Sequence, residues 1–480
     1  MIRWPFPRSL VLVLTLAALP SPVGAQTPAP APPATPMTPL PTPSAAPTPT
    51  REPLPAPPGI RPFATPQELV GRELTIEEAV NIGMENAPKI VARIGDYVAS
   101  QQRVNQALAP LLPQLSASGS YGRARQLTRI TGRAFHDDFG SASVTASQLL
   151  FDFGRTWAAK DVAKLSAEAV KEVLETQKLD ISQLVKTQYY TLLLSKRLVE
   201  VNVTALERAE VNLRSAQGFF QVGTQPKSFV TRAEVDVANG RVNVIRAQNA
   251  VSLARVALNT AMGIAVNAPT EVKDTLAYQQ FPMDREALVG EAIKNRPEYR
   301  QVKAQAEAAD AFVRQTFRDF FPNLFGSGTY GVAGVTGGSA NSRSTSGFID
   351  SGNEWNVGLT LNWSIFDGGG KVARYKEAKA NLEASVARVR DAELQVWLSV
   401  EQSYLNLGEA EERIGAAGKA VESAEENYQL ARGRFDAGVA NIIELTDAQL
   451  ALTQAQSTEA QALSDYRIAI ANLERALGRR

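Results

Sequence analysis

One stretch, Glu354 to Gly438, restricts what this chain can fold into more than any other part of it. Trp355, Val357, Leu359, Leu361, Trp363 and Ile365 alternate with Asn356, Gly358, Thr360, Asn362 and Ser364. A period-two run of about 11 residues with tryptophans near both ends suits a tilted strand that crosses a membrane. On this pattern Trp355, Val357, Leu359, Leu361 and Trp363 form a lipid face, while Asn356, Thr360 and Asn362 face a lumen. The run breaks at Phe366-Asp367-Gly368-Gly369-Gly370, and no proline occurs from Lys371 to Phe435. There Tyr375, Leu382, Val386, Val389, Val396, Val400 and Leu407 recur at the three- and four-residue spacing of a coiled-coil helix. That helix would run roughly 100 Å. A spanning strand that feeds so long a helix is a rare combination.

The N-terminus predicts export. Arg3 and Arg8 precede an apolar run from Leu10 to Leu19, and Val23-Gly24-Ala25 is a small-residue cleavage site, so residues 1–25 read as a signal peptide. That run is too short to span as a helix, and no later apolar stretch is long enough to do so. The exported chain is then periplasmic, secreted, or an outer-membrane barrel. Residues 26–71 form a Pro-rich linker: Gln26 to Pro66 holds 16 of the 28 prolines and cannot bury a core. It is a disordered spacer or a tether through the cell-wall layer. A formal charge of +1 over 480 residues makes no electrostatic case for nucleic acid. Without cysteine there are no disulfides or thiolate metal sites, and the single His136 cannot form a histidine cluster. No nucleophile–base pair can be assembled, so neither catalysis nor a cofactor or metal is expected.

From Leu74 onward the chain repeats itself. Asn86-Ala87-Pro88 corresponds to Asn295-Arg296-Pro297, and Pro113-Gln114-Leu115 to Pro322-Asn323-Leu324, each 209 positions apart. Beyond the next loop the offset becomes 215. Phe151-Asp152-Phe153-Gly154 then matches Phe366-Asp367-Gly368-Gly369, and Leu258 to Gly263 matches Leu473 to Gly478. Thr75 and Glu78 make a capping-box pattern at the start of the first copy. Repeat 1 spans residues 72–263, a linker 264–284, and repeat 2 residues 285–480. Each copy predicts a helix (Ile76 to Ala109; Glu286 to Asp319) and a strand (Gln114 to Arg123; Asn323 to Val332). A polar loop (Arg123 to Asp138; Ala333 to Asn353) leads to a second strand (Phe139 to Phe151; Glu354 to Phe366). A long helix, a glycine turn and a return helix follow. The helix before the strands and the return helix together match the long helix in length. They are expected to stack end to end along it. The polar loops, which contain Gly132 and Gly337, are expected at the cell surface.

Four spanning strands per chain leave two open edges, which lipid cannot satisfy, so several chains must pool strands into one barrel. A surface-anchored structural or adhesive coiled-coil protein without a transport role would explain the heptads but not the strands. Gly326-Ser327-Gly328-Thr329-Tyr330-Gly331 fits a dinucleotide fingerprint only as a string, because it lies inside a predicted strand.

The element order, the repeat, the strand-to-helix junctions and the segment Phe435-Asp436-Ala437-Gly438-Val439 through Ile443-Glu444-Leu445-Thr446-Asp447-Ala448 resemble the TolC-like outer membrane efflux proteins over about residues 72 to 478. The resemblance implies an α+β membrane protein and a homotrimer in the outer membrane of a Gram-negative bacterium. It has a 12-stranded β-barrel, four strands per chain, continuing into a long α-helical coiled-coil periplasmic tunnel. It implies the exit duct of a tripartite efflux pump or type I secretion system, completed by a periplasmic adaptor (membrane fusion) protein and an inner-membrane RND or ABC transporter. It also assigns residues. Gly223, Thr224, Gly438 and Val439 are implied as adaptor-contact tips, although any tight helix turn also wants glycine there. Glu444 and Asp447 share a helix face and are implied to line the periplasmic gate with Phe435 and Phe229; acids complementing a helix N-terminus would look the same. The basic residue that locks such an entrance is replaced by Ala440 and its acidic partner by Phe229, so closure is expected to rest on apolar contacts or on the acids.

Overall fold

In the computed structural model, residues 72–127, 134–281, 285–336 and 350–480 are described. The expected signal peptide, Pro-rich linker, Gly132 and Gly337 lie outside them. A short strand β1 (Glu73–Leu74) precedes α1 (Ile76–Asn86), whose N-cap carries the full capping box: Thr75 Oγ1 accepts from Glu78 N, and Thr75 N donates to the Glu78 carboxylate. The helix expected to run unbroken to Ala109 is two helices, because Pro88 takes the first position of α2 (Pro88–Leu108) and Ala87 turns extended. Proline has no N–H to continue α1 but suits the first turn of a new helix. Pro297 does the same between α5 (Arg285–Asn295) and α6 (Pro297–Arg318).

Glycines explain why the breaks sit where they do. The return helices α4 (Lys227–Met262) and α8 (Ile442–Leu477) end at Gly263 and Gly478, both in the left-handed region. A Cβ on Gly263 would stand 2.6 Å from Asn86 O, and one on Gly478 would stand 3.0 Å from Asn295 C and O. Each return helix therefore closes against the backbone of the proline break in its own repeat.

Four strands, β2 (Gln114–Leu127), β3 (Ala134–Phe151), β5 (Asn323–Thr336) and β6 (Asp350–Asn362), form an antiparallel sheet in the order β2-β3-β5-β6. β2 and β3 extend further into the first polar loop than expected, their register continuing past Arg123, whose guanidinium pairs with Asp138 across the strands. β6 stops at Asn362, not Phe366. Its partner Asn323 follows Pro322, which has no N–H to extend the ladder. Trp363 lies just past the strand, and its indole N–H donates to Phe320 O at 3.1 Å.

β3 and β6 each lead, through a short turn, into a helix of 67 residues, α3 (Arg155–Gln221) and α7 (Gly370–Asp436), roughly 100 Å long. At the first junction Asp152 is 4% exposed and its carboxylate accepts from Gly154 N (3.0 Å), Thr156 N (2.7 Å) and the Thr156 hydroxyl. Phe153 adopts φ 55°, where the second junction has Gly368. Its ring is held between Phe151 and Phe321, with centroids 4.8 and 5.1 Å away. Asp367 at the second junction is exposed and, among the described residues, accepts only from Lys371 N.

The stacking expectation holds: α1 and α2 cover the sheet-side half of α3 and α4 the far half, with α1 touching α4. α5, α6 and α8 treat α7 in the same way. Val185, Tyr189 and Leu192 centre the first core, and Leu407, Tyr466 and Leu473 the second. The Tyr189 hydroxyl lies 2.9 Å from Leu74 O and 2.8 Å from Lys273 O, tying α3 to the parallel pair of β1 and β4 (Glu271–Val272); burial pushes its phenol up to about 12. The two long helices differ in one respect. α3 also packs on α6 and α8, whereas α7 exposes Val386, Leu394, Trp397, Leu398 and Leu405, so Val386 is not a core seam residue within one chain. Among the described residues no helix is long and apolar enough to cross a membrane.

Candidate functional site

Candidate function sits at both ends of the long helices. At the sheet end, pairing places Leu115, Ala117 and Tyr121 of β2 on one face with Ala142, Val144 and Ala146 of β3. The same face carries Leu324 and Tyr330 of β5 and Trp355, Val357, Leu359 and Leu361 of β6. Val357 and Leu359 stand opposite Gly328 and Gly326, and both are more than 70% exposed within one chain. The reverse face is hydroxylic. Ser118 and Ser143 hydroxyls lie 2.9 Å apart, Ser120 and Ser141 2.8 Å, Thr145 and Thr329 3.1 Å, and Asn356, Thr360 and Asn362 belong to this face. One sheet thus separates an apolar surface from a wet one, and β2 and β6 each keep one unpaired edge.

The Gly326–Gly331 string lies inside β5, paired to β3 and β6 on both sides, and among the described residues no helix N-terminus adjoins it to receive a phosphate. Among the described residues no group of three or more metal-ligating side chains is assembled.

At the far end, α3 turns into α4 and α7 into α8 through matching caps. Gly223 and Gly438 have φ 76° and 74°, their amides donate to Phe220 O and Phe435 O, and Thr224 N and Val439 N reach back to Phe219 O and Arg434 O. These are left-handed glycine caps that close the last carbonyls of each helix. A Cβ at either glycine would meet nothing within 4 Å, so backbone conformation rather than crowding calls for glycine. Thr224 and Val439 are exposed at the tips.

The four gate candidates fall into two pairs, Phe435 with Phe229 in one apolar cluster and Glu444 with Asp447 on α8. Phe435, implied as a lining residue, is buried: α8 folds back over the last turn of α7, and the ring meets Phe219 edge-on at 5.6 Å beside Ile442, Leu445 and Leu452. Phe229 packs half-buried against the same cluster. Glu444 and Asp447 lie on the first turns of α8, as their spacing requires. The N-cap itself is Asn441, whose Oδ1 accepts from Ile443 N at 3.2 Å, and Glu444 follows in the first turn of α8, where an acid also complements the helix N-terminus. The residue that sequence reasoning missed is Arg434, with Nη1 2.7 Å from Glu444 Oε1. The available signal was the glycine turn, which brings the end of α7 beside the start of α8. Asp447 is exposed and forms no ion pair among the described residues. Ala440 is buried in the tip cluster.

Compared with known proteins, residues 82–264 and 288–479 each match the family model described as "Outer membrane efflux protein". The outer membrane protein TolC of Escherichia coli is 24% identical over 398 residues, which is 82% of this chain and 79% of that protein. The pyoverdine export outer membrane protein OpmQ of Pseudomonas putida is 25% identical over 432 residues (87% and 86%), and the alkaline protease secretion protein AprF of Pseudomonas aeruginosa 25% over 428 (83% and 83%). Among solved structures, the outer-membrane channel OprN superposes with a TM-score of 0.71 at 20% identity over 84% of this chain and 89% of that one. For the outer membrane protein VceC of Vibrio cholerae the values are 0.69, 20%, 84% and 96%.

Proposed function

This chain belongs to the outer membrane efflux protein family, and from that membership and the geometry of its two ends we propose that three copies close into one export duct. It is an exit duct of the outer membrane, with its helical part in the periplasm. The observation that carries the reading is the amphipathic four-stranded sheet with two unpaired edges, fused to 67-residue helices. In lipid each unpaired edge group costs several kilocalories per mole, so copies must close edge to edge. Two copies would give eight strands, whose interior is filled by side chains; three give twelve, roughly 24 Å across, with an open lumen. The hydroxylic face of Ser118, Ser120, Thr145 and Thr360 then lines that lumen, and Val357 and Leu359 meet lipid.

Residues 72–263 and 285–480 act as two equivalent units, so each copy supplies four helical columns to the periplasmic tunnel. The tips at Gly223-Thr224 and Gly438-Val439 are the docking points for a periplasmic adaptor, which joins the duct to an inner-membrane transporter that supplies the energy. The chain performs no chemistry on its cargo. Glu444 and Asp447 bias the entrance toward cations, three of each, with Arg434 neutralising the first set. Relatives named for pyoverdine export and alkaline protease secretion support an export role for this fold. A surface coiled-coil protein without transport would leave the amphipathic sheet unexplained.

Fractionation of cells that express the full chain tests the reading. A heat-sensitive multimer of three chains in the outer membrane is expected. Recovery as a soluble periplasmic monomer would overturn it.

A further inference from the structure

At the base of the sheet six aromatic rings form one patch that joins the two strand-to-helix junctions. Phe151 meets Phe153, and Phe153 stacks on Phe321 at 5.1 Å. Phe321 meets Phe317 at 5.8 Å, and Phe317 and Phe320 meet Tyr375 of α7 at 6.0 and 6.3 Å. Phe151, Phe153, Phe317 and Phe321 are each 39–55% exposed, so the rings pack on one another and still present a surface. Trp363, the lower tryptophan of the apolar run, hydrogen-bonds to Phe320 O. An indole with its ring toward lipid and its N–H on a polar group marks the membrane–water boundary. The patch therefore lies at headgroup level on the helix side.

Cations surround it. Asp319, the C-cap of α6, is shared by Arg155 of α3 at 3.5 Å and Arg374 of α7 at 3.7 Å, so one carboxylate faces two positive charges. Arg318 Nη1 and Lys371 Nζ donate to the carbonyls of Gly154 (2.6 Å) and Ser364 (2.7 Å), which carry no charge to offset theirs. Lys160 lies over Trp157 and Lys379 over Tyr375, 5.1 and 4.9 Å from the ring centres. Residues 152–161, 317–321 and 367–379 hold seven Lys and Arg against five Asp and Glu. Two of those acids, Asp152 and Asp367, are engaged by backbone amides. Exposed rings beside an excess of cations complement a ligand with an apolar body and an anionic phosphate head.

A groove of about 690 Å³ opens on the apolar face of the sheet next to the patch. Leu150 forms one wall, Val357 and Leu359 the other, and Ala146, Gly326 and Gly328 the floor. A Cβ on Gly326 would stand 3.4 Å from Leu150 Cδ1 and 3.7 Å from Leu359 Cδ2, so a side chain there would fill the groove. The five residues from Leu150 to Arg155 span at most about 18 Å, and the hydrocarbon of one leaflet is roughly 15 Å deep. One lipid can reach both the groove and the cations.

We propose that each copy binds one anionic phospholipid of the periplasmic leaflet at this junction, with the phosphate at Arg155 and Arg374 and an acyl chain in the groove over Gly326. The inference rests on the reading of the sheet as membrane-embedded, and its test separates the two. The full chain, extracted in mild detergent, is titrated with dioleoyl phosphatidylglycerol or dioleoyl phosphatidylethanolamine and examined by native mass spectrometry. The unaltered protein should retain phosphatidylglycerol at a concentration at least about tenfold lower than phosphatidylethanolamine. Arg155→Gln with Arg374→Gln and Asp319→Asn, which leaves no orphaned carboxylate, should abolish that preference. Gly326→Leu should weaken retention of both lipids. Excess sn-glycerol 3-phosphate, the head chemistry without chains, should not displace the bound lipid. Equal retention of the two lipids by the unaltered protein overturns the anionic site and leaves the duct standing, and this comparison does not depend on any variant folding. Displacement by glycerol phosphate would mean a site for free phosphate and overturn the lipid. A chain that stays monomeric and soluble without detergent and retains neither lipid overturns the duct as well.

Discussion

Leu359→Arg is the sharpest perturbation of the sheet end. Leu359 lies four residues from both Trp355 and Trp363 on the apolar face of β6. Eight residues at about 3.3 Å each, tilted about 40°, place the two indoles roughly 20 Å apart along the membrane normal, near the height of the apolar band of such barrels. Leu359 is then at mid-depth, where an outward arginine costs about 2–4 kcal/mol per chain. Three copies in one ring suffer about 6–12 kcal/mol, comparable to the net stability of a folded domain. Thr360, the next residue, belongs to the hydroxylic face, and Thr360→Arg should cost close to nothing in insertion. The assay is the amount of heat-sensitive multimer in outer membranes at equal expression. Leu359→Arg should nearly abolish it and Thr360→Arg should retain it. Equal assembly of the two would refute the assignment of faces, because a one-residue slip exchanges them.

The remaining predictions concern junctions and tips. Asp152→Ala removes three hydrogen bonds from a buried carboxylate and should cost about 2–4 kcal/mol, against about 1 kcal/mol for exposed Asp367→Ala; the temperature at which the multimer dissociates should fall further for Asp152→Ala. Gly263→Ala combines a left-handed φ with a 2.6 Å approach to Asn86 O, and should lower the yield of folded protein, whereas Gly290→Ala, with open space around it, should not. Gly438→Trp should abolish export while leaving the multimer in the membrane, and normal export would remove the tip from the docking surface. In planar bilayers Asp447→Asn should reduce cation selectivity more than Glu444→Gln, whose carboxylate Arg434 already neutralises; unchanged reversal potentials in both would place the gate elsewhere.

What the sequence alone makes legible is what periodicity and local chemistry determine. The alternation in β6, the proline-free length of α7, the capping box at Thr75 and the paired offsets all specify structure over short range, and they reappear in the sheet register and helix order. The rest depended on contacts between distant segments. Pro88 and Pro297 were visible, but their role as helix starts depends on Gly263 and Gly478 pressing on the residues before them. Phe435 resembled an entrance residue by position, and only Phe219 and the return of α8 bury it. Arg434 and Glu444 are ten residues apart, a spacing that means nothing until a left-handed glycine folds the chain back between them. The exposed apolar side of α7 carried the same heptad signature as its buried side, because a sequence repeat does not distinguish a seam within a chain from one between chains.

Single-channel recording on the purified, detergent-extracted protein tests the central claim most directly. A ring of three chains with a hydroxyl-lined lumen should insert into planar lipid bilayers as uniform, discrete conductance steps with a preference for cations, reduced in the Glu444→Gln, Asp447→Asn double variant. A membrane that stays sealed in the presence of correctly folded protein would contradict the account.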